Sequence, residues 1–434
     1  MRKAVLVLFG AAIGIMLALV AIEPRVALIG ADAKPAAAAR TRHLLDLFTD
    51  LFVFVRAHYV EKPDDVEMTK AAINGMLSRL DDSAYADAKA YDHPQICPGQ
   101  SSACPSDGMG VEVTMQDGRL TVVSPIDDTP AAKAGLMAGD IIVALDDEPT
   151  QGLTLAQAID KLRGPAGTTA QLEIVRPGHS KLLELAITRE AITSPPVRAR
   201  AEGDDIGYIR IAQFDEQTPE KLEKALAEIA AKIAPERLKG YILDLRNTPV
   251  GSLEAAIAVA DGFLEEGVIV SIRGREPDRV QTFSAKSGDL ANGKPLIVLI
   301  NGGSASAAEV LAGALQDHKR ATVVGTRSFG QGSASAWIPL GPGKGAIRLA
   351  TGHYFTPSGR LIKDKGIPPD VEVAQDVPDD SKADAKSKNT EKPVLQSYIP
   401  PDAKADKALN RAYDLLRGTK TDTAAQPAKA PVPN

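Results

Sequence analysis

Pro295-Leu-Ile-Val-Leu-Ile-Asn-Gly-Gly-Ser-Ala-Ser-Ala-Ala-Glu309 joins a short apolar run, a turn of small residues and the first turn of an apolar helix that continues to about Leu315. The run has strand length, and Asn-Gly-Gly breaks it. Ser306 therefore falls at a helix N-terminus, where unpaired backbone N–H groups can stabilise a developing oxyanion. Taken alone, the pattern assigns Ser304 or Ser306 to capping, the usual task of serine before an apolar helix.

Outward from this stretch, strands alternate with helices from Ile206 to about Val373. Strands are read at 207–211, 240–245, 268–272, 296–300, 321–324 and 347–350, and helices near 219–233, 252–263 and 307–315. Such alternation predicts an α/β core. A chain of 434 residues is too long for one ordinary core, at roughly 100–200 residues per domain. A net charge of −6 gives no basic footprint for nucleic acid. Walker and Rossmann motifs are absent, no cluster has metal-ligand spacing, and no cofactor is expected. None of the 6 histidines falls in a triad pattern or an H-E-x-x-H pair, which argues against Ser/His/Asp and zinc hydrolases.

The run GSASAAEVLAGALQDHKRATVVGTRSFGQGS, Gly303 to Ser333, resembles the active-site segment of the C-terminal processing peptidases, or tail-specific proteases. These are serine endopeptidases that use a serine and a lysine. Their pattern reads approximately S-A-S-A-S-E-I, then F-G-K-G further along and a glutamine shortly after the lysine. Carried over, the nucleophile falls on Ser306, the lysine on Gln331 and the glutamine on Ser335. Asp244-Leu-Arg-Asn-Thr-Pro-Val-Gly251 resembles the family's D-L-R-x-N-x-G-G turn, with Thr248 for the asparagine and Val250 for the first glycine. The resemblance puts the oxyanion hole around Val250, Gly251 and the Ala307 N–H. A β-branched residue fits poorly where positive φ is needed, so a reshaped turn is expected.

A serine hydroxyl needs a neighbour to take its proton, and a desolvated lysine can do so as a neutral amine. A glutamine amide can hold a hydrogen bond but cannot accept and return a proton. Lys319, at the far end of the Ser306 helix, and Lys344, in a Gly-rich turn, are read as solvated surface lysines rather than substitute bases.

From Gly108 to about Arg189 the sequence resembles a PDZ domain of the bacterial protease type, carried by Thr129-Pro-Ala-Ala-Lys-Ala-Gly-Leu-Met-Ala-Gly-Asp-Ile-Ile-Val143. Such domains take an extended C-terminus as an added strand and hold its carboxylate on backbone N–H groups. The resemblance places the carboxylate loop at Met109, Gly110 and Val111 and the groove helix at 156–159, with Ala156 and Ile159 lining an apolar pocket. It implies a crotonase-like peptidase core with the PDZ domain inserted beside it.

The expected organisation is a signal peptide or membrane anchor at 1–40, an N-terminal helical segment at 41–92, the PDZ domain at 106–190, the peptidase-like α/β core at 200–375 and a low-complexity tail at 376–434. Met1-Arg-Lys3 precedes 19 uncharged residues, 4–22, and Ala31-Asp-Ala33 offers a cleavage site. The run approaches the roughly 20 residues that span a bilayer. A periplasmic body is expected, held to the inner membrane by residues 4–22 or released by cleavage. In that compartment Cys97 and Cys104 form a disulfide candidate closing a very small loop. The stripe of Leu44, Leu45, Leu47, Phe48, Leu51, Phe52 and Val55 has helical spacing and is expected to face a core. The tail is rich in Asp, Lys, Ala and Pro, except for a helix near 403–416 whose Leu409, Tyr413 and Leu416 should dock on the core.

Two function classes follow. One is an exported PDZ protein that captures unstructured C-termini with impaired or lost proteolysis, alone, as a homo-oligomer or paired with an active homologue. The other is an active serine endopeptidase that cleaves near C-termini through Ser306 and a base that the sequence pattern does not reveal.

Overall fold

The computed structural model describes residues 35–376 and 397–419, apart from 78, 81–82, 89–106, 178, 180, 193–194, 250, 277, 287 and 401. The expected export segment at 4–22, the Cys97–Cys104 pair and Val250 lie outside the described residues. The chain divides into two compact units, Met1–Ala71 and Ala72–Asn434.

In the first unit, α1 (Pro35–His58) opens with proline at its first helical position, where no N–H is needed; α2 (Asp65–Leu77), which starts in this unit and ends in the second, begins with Asp65 and Glu67 at its positive end. The apolar stripe is helical as expected, but it does not face a core. Leu44, Leu45, Leu47, Phe48, Leu51 and Val55 are 41–61% exposed, because no second layer among the described residues covers them.

The second unit interleaves the two expected domains. Strand β1 (Ala84–Ala86) pairs with residues 346–348, so the chain enters the α/β core before it builds the PDZ domain. Strand β2 (Asp107–Gly108) pairs with residues 190–191 and closes the neck of the inserted domain. Within that neck lie β3 (Val111–Gln116), β4 (Arg119–Pro125), α3 (Pro130–Lys133), β5 (Ile141–Leu145), β6 (Glu148–Pro149), α4 (Leu155–Leu162), β7 (Thr169–Val175) and β8 (Leu183–Thr188). The sheet order is β3-β4-β5-β7-β8, which leaves β3 at an edge. Met109, Val122, Leu136, Ile142, Leu172 and Ile174 form its core. The buried Asp140 carboxylate fixes Arg176 at 2.7 Å and accepts the Met137 N–H at 2.9 Å.

After β9 (Glu190–Ala191) the core follows as β10 (Val197–Glu202), β11 (Ile206–Ile211), α5 (Thr218–Lys232), β12 (Gly240–Asp244), α6 (Leu253–Asp261), β13 (Val268–Arg273), β14 (Val280–Ser284), β15 (Leu296–Ile300), α7 (Ala307–Asp317), β16 (Thr322–Gly325), β17 (Ser333–Pro339), β18 (Ala346–Phe355) and β19 (Val371–Glu372). One sheet runs β10-β11-β12-β15-β16-β19 and is parallel from β11 onward; a second joins β1, β18, β13 and β14, with β17 on β18. A parallel sheet is buried on both faces, and period-2 alternation divides its side chains accordingly. Ile209, Ile211, Leu243, Leu245, Val298 and Ile300 pack with α5, α6 and α7. Ile206, Tyr208, Ile242, Ile297, Leu299 and Val324 pack with α8 (Lys407–Arg417), the docked tail helix. As the sequence suggests, Leu409 and Leu416 are buried there and Tyr413 partly so. The strands β14 and β17 have no clear signal in the chain. Their residues, Val-Gln-Thr-Phe-Ser and Ser-Ala-Ser-Ala-Trp-Ile-Pro, are held by pairing with β13 and β18, which overrides weak propensity.

Candidate active site and peptide groove

Strand β15 leads through the turn 301–305 to Ser306, and the two serines there do different work. Ser304 is fully buried: its Oγ accepts the Asn301 N–H at 3.0 Å and donates to the Leu245 carbonyl at 2.8 Å. The fold consumes it. Ser306 sits at φ 51°, ψ −112°, a conformation that costs a non-glycine residue about 1–3 kcal/mol and is found mostly at functional sites. The spacing Ser306-x-x-Glu309 is that of a capping box. Its return half is the bond from the Ser306 N–H to Glu309 Oε2 at 3.0 Å. Ala307 follows at the first position of α7, 1% exposed, where helix N–H groups have no intrahelical acceptor.

Glu309 is the keystone of the site. It is fully buried, and its Oε1 accepts the Ser328 hydroxyl at 2.5 Å and the Gly330 N–H at 2.7 Å. The Gln331 N–H also bonds to it. Burial pushes its carboxyl up to about 7, and these donors restrain the rise. One carboxylate thus ties the strained Ser306 to the loop 328–331.

Gln331 is partly buried, and its Oε1 is enclosed without a hydrogen-bond partner. Such a group costs about 1–3 kcal/mol. No hydrogen bond joins Gln331 to Ser306 among the described residues. Ser335 lies on β17 at a bulge between Ala334 and Ser335, partly buried. Lys319 and Lys344 are exposed, and Lys319 is at the opposite end of the 11-residue α7 from Ser306.

The turn after β12 is held by Thr248 and Asn247. Thr248 is buried; its Oγ1 donates to the Ile211 carbonyl at 2.6 Å and accepts from Arg210 at 2.7 Å. Its carbonyl takes the Ala305 N–H at 3.0 Å, which fixes the turn beside the serine loop. Asn247 carries the positive φ, 48°. Gly251 bridges to Phe214, and a Cβ there would stand 2.3 Å from Phe214 Cβ, so packing demands glycine. Arg210 continues the network to Asp127 of the PDZ domain at 2.7 Å, with only 8% of its side chain exposed.

The loop 109–111 and helix α4 flank the edge strand β3. Gly110 has φ 72° and lies against Thr129 so closely that no Cβ fits. The carbonyls of Met109 and Gly110 are held by the Ala131 N–H (2.9 Å) and the Ile126 N–H (2.8 Å). Planar trans peptides then point the Gly110 and Val111 N–H groups the opposite way. Val111 faces Pro125 in the register whose N–H turns to the open edge of β3. Val111 and Ile159 line the groove as partly buried apolar walls. Helix α4, capped by Thr154 and Gln157, carries Ile159 and Ala156, but nothing is described of the Ala156 side chain. The far end of β3, Thr114 to Gln116, shares a small cleft with Phe329, Gln331, Ser333 and Lys363, and Val123 packs on Phe329 and Ala305. A strand added to the open edge of β3 would therefore run past the loop 329–331. Glu309 was legible from its capping-box spacing; the Arg210–Asp127 pair and Lys363 carried no sequence signal. Among the described residues, no group of acidic, histidine or cysteine side chains could hold a metal.

Residues 205–373 match the model of Peptidase family S41, and residues 108–187 match that of the PDZ domain. Over 396 residues the chain is 48% identical to the carboxy-terminal-processing protease of Bartonella bacilliformis, covering 88% of this chain and 90% of the relative. It is 34% identical to the carboxy-terminal processing protease CtpB of Bacillus subtilis, over 81% of this chain and 72% of that one. Among solved structures, the photosystem II D1 C-terminal processing protease superimposes with a TM-score of 0.62 at 27% identity, covering 75% of this chain and 92% of that chain.

Proposed function

The chain belongs to peptidase family S41, among the carboxy-terminal processing proteases, and from that premise we propose that it captures the C-termini of exported proteins in its PDZ groove while its own proteolysis is impaired. The observation that carries the second half is Gln331, which stands where the family uses lysine, makes no bond to Ser306 and leaves its Oε1 buried without a partner. An amide there cannot remove the serine proton. The first half rests on the Val111 N–H at the open edge of β3 beside the apolar Val111 and Ile159 walls, an arrangement suited to a carboxylate with an apolar last residue. A periplasmic body, held by residues 4–22 or released by cleavage, is part of the same proposal and rests on the apolar run behind Met1-Arg-Lys3.

Ser306 itself favours a second reading, residual serine peptidase activity, since its strained backbone at the start of α7 is that of a nucleophile. One peptide with an apolar last residue, titrated as free acid and as amide, tests the capture. The free acid is expected to bind at least about tenfold more tightly, as loss of hydrogen bonds to a charged group implies. Equal affinities would rule it out.

A further inference from the structure

We propose that residues 397–406, which lie beyond the region matched to the peptidase family, form a clasp that joins the PDZ domain to the serine turn, with Ser397 as its joint. The clasp holds the two walls of the cleft between β3 and the loop 329–331 in place, and it does so whether or not Ser306 turns over.

Ser397 is 4% exposed and uses both of its oxygens. Its Oγ accepts the Ala138 N–H at 2.9 Å, and its carbonyl accepts Asn301 Nδ2 at 3.1 Å; both bonds are buried. Ala138 sits in the PDZ loop 136–140, which the Asp140 carboxylate braces through the Met137 N–H. Asn301 opens the turn that leads to Ser306. One residue of the tail therefore bonds to both domains.

The Asn301 side chain is the hub on the core side. Its Oδ1 accepts the Gly303 N–H at 3.0 Å and the Asn247 N–H at 2.9 Å, and its Nδ2 donates to Asn247 Oδ1 at 2.9 Å. An amide offers two N–H donors and two lone pairs, and the Ser397 carbonyl takes the last of them. Turning the amide over would set its N–H₂ against two N–H donors, so its orientation is fixed. A buried network of this kind holds its members most firmly when it is complete.

The far end of the clasp bears on the same place. Asp406 is 2% exposed, accepts Arg246 Nη1 at 2.9 Å and caps α8 through the Leu409 N–H at 3.0 Å. Arg246 directly precedes Asn247, so both ends of the clasp reach the paired turns 246–248 and 301–305. Those turns leave no slack: a Cβ on Gly303 would stand 2.4 Å from Asn247 Oδ1 and 2.8 Å from Ser124 Oγ of β4 in the PDZ domain. Covering the apolar sheet face explains α8 but not Ser397, which precedes the helix and packs elsewhere.

Hydrogen exchange of the whole chain as wild type, Ser397→Ala and Ser397→Thr tests the clasp, read at 136–140 and 301–306 with α5 as internal reference. Removing the hydroxyl leaves the Ala138 N–H buried without an acceptor. Ser397→Ala should speed exchange about 10–100-fold in both segments and leave α5 unchanged. Ser397→Thr keeps the hydroxyl and should exchange as wild type does. Acceleration at 136–140 alone, or in neither segment, overturns the proposal, because the serine turn would then not depend on the joint. Equal acceleration in α5, or a threonine variant as fast as the alanine one, overturns it as well. Equal binding of free-acid and amidated peptides overturns the capture reading instead and leaves the clasp standing.

Discussion

Replacing Glu309 by glutamine removes a charge from the centre of the site and should remove a pH dependence with it. Burial raises the Glu309 carboxyl from 4.5 to about 7, although Ser306, Ser328, Gly330 and Gln331 all donate to it. A carboxyl whose folded value lies above its unfolded one is held more tightly as the acid in the native state. Its stabilisation is complete below about pH 4.5 and is lost as pH rises through about 7. At about 1.4 kcal/mol per pH unit, the full difference amounts to about 3 kcal/mol. Glu309→Gln cannot ionise, and it also sets an amide N–H₂ against a donor, costing about 1–3 kcal/mol at any pH. Urea unfolding at pH 5 and pH 8, followed by the single tryptophan, Trp337 on β17, measures both effects. Between these pH values the wild type should lose up to about 3 kcal/mol more than the variant, with all other titrating groups cancelling in the comparison. Equal losses in the two proteins would refute the assignment of this carboxyl.

Gly251→Ala drives a Cβ to within 2.3 Å of Phe214 Cβ and 2.9 Å of its backbone nitrogen, and should cost about 1–3 kcal/mol in urea unfolding. An unchanged midpoint would contradict the packing role. Asp127→Ala leaves Arg210 buried without its carboxylate partner, and should destabilise the second unit by about 3–5 kcal/mol. A loss below about 1 kcal/mol would show that the turn at Thr248 and Asn247 suffices for this arginine.

The sequence made most of this architecture legible where local pattern and burial agree. Residues 296–300 are apolar throughout because the parallel sheet is covered on both faces, and the turn and helix that follow could be placed to within a residue or two. The tail helix was visible because Leu409, Tyr413 and Leu416 share one face. Strands β14 and β17 were not, because partners distant in sequence hold them. The α1 stripe shows the limit of periodicity, which identifies an apolar face but not what covers it. Around the site, Ser306, Gln331 and the loop 109–111 stood out as residue types in a pattern. Lys363 did not, since a lysine enters a cleft by folding of the segment that carries it, and nothing in Leu-Ile-Lys-Asp announces that.

The central claim is that Gln331 in the lysine position limits turnover, and the most direct measurement is cleavage of an unstructured, C-terminally tagged substrate by wild type, Ser306→Ala and the combined variant Gln331→Lys/Ser335→Gln/Val250→Gly. The combined variant should cleave about 10²–10⁴-fold faster than wild type, and by more than the product of the three single effects if the residues act as a unit. Wild-type cleavage as fast as that of the combined variant, and abolished by Ser306→Ala, would contradict the account.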